Sequence, residues 1–226
     1  MSTYMVQFLY RTFVYGIALL TALPFHEFAH GWVANKMGDP TARWQGRLTL
    51  NPLKHLEPIG ALMMLLFGIG WAKPVPINPY NFKNPKKGMA ISALAGPVSN
   101  LILAFLSAVC YKLLIIPMLL VPDGVGADLV SGLQNIFYTM ISVNVGLAVF
   151  NLLPIPPLDG SRVLNLFLPQ QTYFAIMKYE RLIMIFLLFA VSAGVLDTPL
   201  NFVRSAVWQA LDFCTGFIDI ILRAVF

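Results

Sequence analysis

The chain has 226 residues, 58% hydrophobic and 11% charged, with a mean hydropathy of +0.74, more apolar surface than one water-soluble domain of this length can hide. Its net charge of +5 points to no nucleic-acid partner, because the 15 Lys and Arg are scattered along loops and do not line one face. Cys110 and Cys214 both lie in apolar segments without metal-ligand spacing, which excludes a disulfide framework and a thiolate metal site.

The first apolar stretch, residues 5 to 34, is long enough to cross about 30 Å of hydrocarbon as a helix. It has neither a basic leader nor a small-residue cleavage site, so it reads as a retained span and not as a secretory signal. Near its end stands His26-Glu27-Phe28-Ala29-His30. On a helix, this spacing puts both imidazoles on one face, about 6 Å apart along the axis. Two nitrogens then reach one zinc at about 2.0 to 2.1 Å. Glu27, beside the first ligand, is placed to take a proton from a water whose pKa the metal has lowered. In a soluble helix the same pattern often means surface or capped histidines. Inside a membrane a central carboxylate costs about 2.5 to 3.5 kcal/mol on insertion scales, a cost that a bound metal offsets.

Residues 35 to 88 collect Lys36, Arg43, Arg47, Lys54, Lys73, Lys83, Lys86 and Lys87. If residues 59 to 72 crossed the membrane, they would split this basic set between two faces, against the positive-inside pattern, and they are short for a span. The region is therefore expected on the cytoplasmic side, with the N-terminus outside, the metal nearer the cytoplasm and 59 to 72 re-entrant. Prolines at 52, 58, 74, 76, 79 and 85 preclude a continuous helix, and Arg47 to Asn51 (RLTLN) alternates like a strand. A small re-entrant β element is expected over about 43 to 80, its edge open to an unwound substrate through strand addition. His55 with Glu57 is an alternative ligand pair, but its proline-rich setting favours a structural hydrogen bond.

Further spans are expected at 89 to 121, 129 to 153 and 179 to 197. Gly88, Ser92 and Gly96 recur every four residues as a close-packing face that Asn100 continues, from where Asn100 could reach the site, and Asn144 suits an interhelical hydrogen bond. After Asn151, Pro154, Pro156 and Pro157 deny the helix its continuation, so the backbone opens and can aim Asp159 sideways at the zinc as third ligand. In residues 203 to 225, Gln209, Asp212, Gly216, Asp219 and Arg223 form one polar stripe. That segment is either an interfacial amphipathic helix or a further span with its stripe turned inward. The expected fold is an all-α polytopic membrane protein of four to six transmembrane helices with the small β element, in one embedded domain over 1 to 226.

The His26 to His30 motif, Asn151 to Gly160 (NLLPIPPLDG) and Ala95 to Asn100 (AGPVSN) together resemble the site-2 protease family of intramembrane metalloproteases. Gly46 to His55 and Gly70 to Pro79 further resemble its compact prokaryotic members, and the chain shows neither the PDZ nor the cystathionine-synthase-like domain that many relatives carry. The resemblance implies one zinc on His26, His30 and Asp159, Glu27 as general base, and Asn151 as a substrate-contacting or oxyanion-stabilising residue. The Asn151 amide could equally tie the broken backbone together. A multi-pass cell-membrane location and a transmembrane protein or peptide as substrate are also implied. Intramembrane His and carboxylate groups also mark ion pathways, but a transporter needs several exchangeable sites along a route, and a silent helix-capturing protein has no use for Glu27.

Overall fold

A computed structural model describes residues 3–58, 60, 72–120 and 124–225. Except for Gly60 and Ala72, the segment expected to be re-entrant lies outside these residues. The helices are α1 (Thr3–Lys36), α2 (Thr41–Trp44), α3 (Pro85–Leu113), α4 (Ile115–Leu120), α5 (Val125–Asn151), α6 (Asp159–Leu164), α7 (Gln170–Met177), α8 (Glu180–Ser192) and α9 (Asp197–Val225). Among the described residues, four helical stretches are long and apolar enough to cross a membrane: Tyr4–Lys36, Pro85–Met118, Val125–Asn151 and Asp197–Ala224.

The fourth of these is not the one expected at 179 to 197. There α8 has 13 residues, about 20 Å of helix against a hydrocarbon core of about 30 Å, and Gly194, with φ +71°, turns the chain soon after its end. The segment at 203 to 225 belongs instead to α9, and two residues of its polar stripe, Asp212 and Asp219, reach α3. Lys112 near the end of α3 is buried and donates to Asp212 at 2.8 Å and to Asp219 at 2.5 Å. A lysine in a span is costly unless paired, and the stripe supplies both partners. Around this contact Ala104, Ala108, Ile141, Val145, Val149, Leu200 and Leu211 form an apolar cluster shared by α3, α5 and α9.

Helices α1, α3 and α5 pack on one another and make the centre of the molecule. Lipid is as apolar as leucine, so association of spans depends on close backbone approach, and the contacts are built from small residues. Ala18, Ala22, Ala90, Ala93, Ala104 and Ala148 are all fully buried. Helix α1 ends at Gly38, whose φ of +110° suits glycine, and the next N–H, of Asp39, returns to the Ala34 carbonyl at 2.9 Å. The buried Asp39 carboxylate then accepts from the Thr41 N–H and hydroxyl, the Asn78 N–H and the Asn81 amide. Burial alone would raise this carboxyl, but the hydrogen bonds, those of Thr41 and Asn81 foremost, hold it below its ordinary value. This clasp ties the stretch before α3 to the end of α1.

The expected β element is not supported: among the described residues there is no strand, only one antiparallel bridge between Leu56 and Ala72. The groups of RLTLN close local turns instead. Arg47 N–H donates to the Ala42 carbonyl at 2.8 Å, Thr49 N–H to the Arg47 carbonyl at 3.0 Å and Asn51 N–H to the Thr49 hydroxyl at 3.1 Å. The Thr49 carbonyl accepts from His55 Nε2–H at 2.8 Å, which gives His55 the structural hydrogen bond expected of it. Five alternating residues rich in Thr and Asn give the backbone side-chain partners that compete with a ladder.

Candidate metal centre

His26 and His30 lie on one face of α1, and Asp159 is delivered to them by the first turn of α6, which packs against α3. The break after α5 makes this possible. Past the prolines the chain doubles back so tightly that a methyl on Gly160 would lie 2.2 Å from the Leu152 carbonyl oxygen. Nε2 of His26 and Nε2 of His30 are 3.0 Å apart, and Oδ2 of Asp159 is 3.1 Å from the first and 3.2 Å from the second. All three residues are buried, and among the described residues they are the one group of three or more such side chains able to hold a metal.

The chemistry of these atoms calls for a cation. His30 Nδ1 lies 2.7 Å from the Ser92 carbonyl oxygen, which can only accept, so the ring proton sits on Nδ1 and Nε2 carries a lone pair. His26 Nδ1 is likewise 2.5 Å from Asn100 Oδ1. Both Nε2 lone pairs therefore face the Asp159 oxygen, which is buried without a hydrogen-bond donor. Three convergent electron-rich atoms repel one another unless a proton or a metal ion sits among them. Atoms sharing a tetrahedral zinc through bonds of about 2.0 to 2.1 Å stand about 3.3 Å apart, close to the separations found here.

The rear wall of the centre is the α3 face read from sequence as close packing. It does pack closely, and what it packs against is the candidate metal centre. Ser92 receives one imidazole and Asn100 the other, while a methyl on Gly96 would lie 2.4 Å from His30 Nε2 and 2.6 Å from His26 Cε1. The sequence announces a face of small residues from which Asn100 could reach the site, and nothing in that pattern says that imidazoles meet Ser92 and Gly96.

Glu27 is buried and stands apart from the three-atom group. Its Oε2 accepts the Val75 N–H at 2.7 Å, so the proline-flanked segment at 74 to 76 fixes the carboxylate. Val75 acts through its backbone, and sequence carries no sign of it. Asn151 closes α5, half-buried, with its amide donating to the Leu147 carbonyl at 3.0 Å. That bond lies within α5, does not reach the break at 154 to 157, and leaves a second amide N–H for other partners.

A model of peptidase family M50 matches residues 114–192. YwhC of Bacillus subtilis (strain 168), a candidate zinc metalloprotease by name, is 43% identical over 157 residues, 68% of this chain and 68% of the relative. The chain belongs to peptidase family M50, the site-2 protease family. Two other M50 relatives carry names of the same kind. Rip2 of Mycobacterium tuberculosis (strain ATCC 25618 / H37Rv) is 30% identical over 175 residues, 75% of this chain and 62% of the relative, so the chain spans less than two thirds of that protein. MJ0611 of Methanocaldococcus jannaschii is 34% identical over 152 residues, 66% of this chain and 68% of the relative. No solved structure matches the chain. Family membership makes this M50 chain a zinc metalloprotease, and with the four apolar helices a multi-pass membrane protein.

Proposed function

We propose that the chain hydrolyses a peptide bond within or beside a transmembrane segment of a membrane-protein substrate, using one zinc held by His26, His30 and Asp159. The observation that carries this reading is the convergence of three buried atoms able to ligate a metal, from a membrane span and the broken end of another. Zinc bound there supplies Lewis acidity, which lowers the pKa of water and polarises the scissile carbonyl. Glu27, fixed by the Val75 N–H, accepts the proton of the attacking water and returns it to the leaving amine. The second N–H of the Asn151 amide is the donor assigned to the developing oxyanion.

The test is proteolysis by the purified protein in lipid vesicles, with zinc counted per chain. One zinc and cleavage inside a transmembrane peptide are expected, with cleavage lost on chelation and restored by zinc. A protein that cuts only soluble peptides overturns the intramembrane reading. The same reading places residues 35 to 58 and 72 to 88 on the cytoplasmic side and the N-terminus outside, by the positive-inside pattern. In a background lacking Cys110 and Cys214, single cysteines at Lys54 and Lys87 are expected to label from the cytoplasmic side and one at Gly124 from the outside. The opposite pattern would reverse the topology.

A further inference from the structure

Only the Nδ1–H tautomer leaves His26 Nε2 able to bind a metal, and that tautomer needs an acceptor at Nδ1. The group there is an amide, Asn100, which can present either its oxygen or its NH2. What decides between them lies one helix further on. Asn100 Nδ2 donates to Asn144 Oδ1 at 2.8 Å, and Asn144 Nδ2 donates to the Met140 carbonyl of α5 at 2.8 Å. Both amides are fully buried, so no water can substitute for either partner.

The chain of donors has one permitted direction. A main-chain carbonyl can only accept, so Asn144 turns its NH2 toward Met140 and its oxygen toward Asn100. Asn100 must then give its NH2 to Asn144, which leaves its oxygen for His26 Nδ1–H at 2.5 Å. Flipping Asn100 alone would set two oxygens together at Asn144 and two donors together at His26. Flipping both would set the Asn144 oxygen against the Met140 carbonyl.

We infer that Asn144, which touches neither ligand atom, is a positioning residue that sets the ligating tautomer of His26 by fixing the orientation of Asn100. The inference rests on the zinc reading above and deepens it by coupling α5 to the ligand helix α1 through α3. Asn144→Leu keeps the volume and frees the Asn100 amide to flip, so the zinc dissociation constant is expected to rise about 10- to 100-fold. A carboxylate has no wrong orientation. In the N100D background, therefore, the same Asn144→Leu change is expected to alter zinc affinity by well under the roughly 10-fold loss of an outer-shell partner.

The experiment is zinc titration of the apo full-length protein in detergent for the parent, N144L, N100D and the double variant, with 15N shifts of the His26 ring in the apo parent. A parent that binds no zinc overturns the metal reading itself. A parent that binds zinc while N144L binds it equally well overturns the relay alone, as does an equal loss in both backgrounds, the mark of a packing role. Should N144L not fold, the ring shifts still decide, because a predominant Nε2–H form of His26 in the parent overturns the inference.

Discussion

Glu27→Gln is expected to reduce proteolysis by at least about 100-fold while leaving zinc content unchanged, the usual scale for losing a general base. The substitution is nearly silent structurally. A glutamine oxygen can still accept the Val75 N–H that Glu27 accepts at 2.7 Å, and the side chain keeps its length. It removes only the capacity to take a proton from water. The three ligand atoms belong to other residues and remain in place. Glu27→Ala changes two things at once, because it also leaves the Val75 N–H without its partner, so it is expected to be less stable as well as inactive. Turnover of a transmembrane peptide, with zinc measured on the same preparation, checks both outcomes. Normal turnover by Glu27→Gln would remove Glu27 from the mechanism.

The candidate ligands are legible in sequence because their constraints are local. His26 and His30 are joined by helical spacing, and Asp159 stands out because three prolines break the chain before it. What fails to show is non-local. The polar stripe of α9 has the same pattern whether it faces headgroups or protein, and its partner Lys112 is 100 residues from Asp212 in sequence. RLTLN alternates correctly for a strand, yet the Thr49 hydroxyl takes the Asn51 N–H and His55 takes the Thr49 carbonyl. The apolar run at 179 to 197 has the composition of a span, but the chain turns at Gly194 before the helix is long enough. The support for the metal, Ser92, Gly96, Asn100 and the Val75 N–H, consists of backbone and small polar groups, whose residue types do not announce what they touch.

Gly96→Ala is expected to abolish zinc binding and proteolysis together, although glycine to alanine in a helix interior ordinarily stabilises by about 0.5 to 1 kcal/mol. The reason is the place the methyl would occupy. It would lie 2.4 Å from His30 Nε2, itself a ligand atom, where ordinary contact begins at 3.4 Å. The rings cannot easily yield. Their Nδ1 atoms are held by the Ser92 carbonyl and by Asn100, on the same helix that carries the methyl, so a shift of α3 that relieves the clash also drags the rings' hydrogen-bond partners. A site of this kind tolerates only about 0.2 Å of change in ligand distances. Gly88→Ala is the control, because its methyl would strike the ring of Phe82 and no ligand. It is expected to lower stability while zinc binding persists. Zinc content and thermal unfolding of the two variants separate the effects: loss of metal by Gly96→Ala in a folded protein, and retention by Gly88→Ala. A folded Gly96→Ala protein that bound zinc as the parent does would show that α3 does not press on the imidazoles.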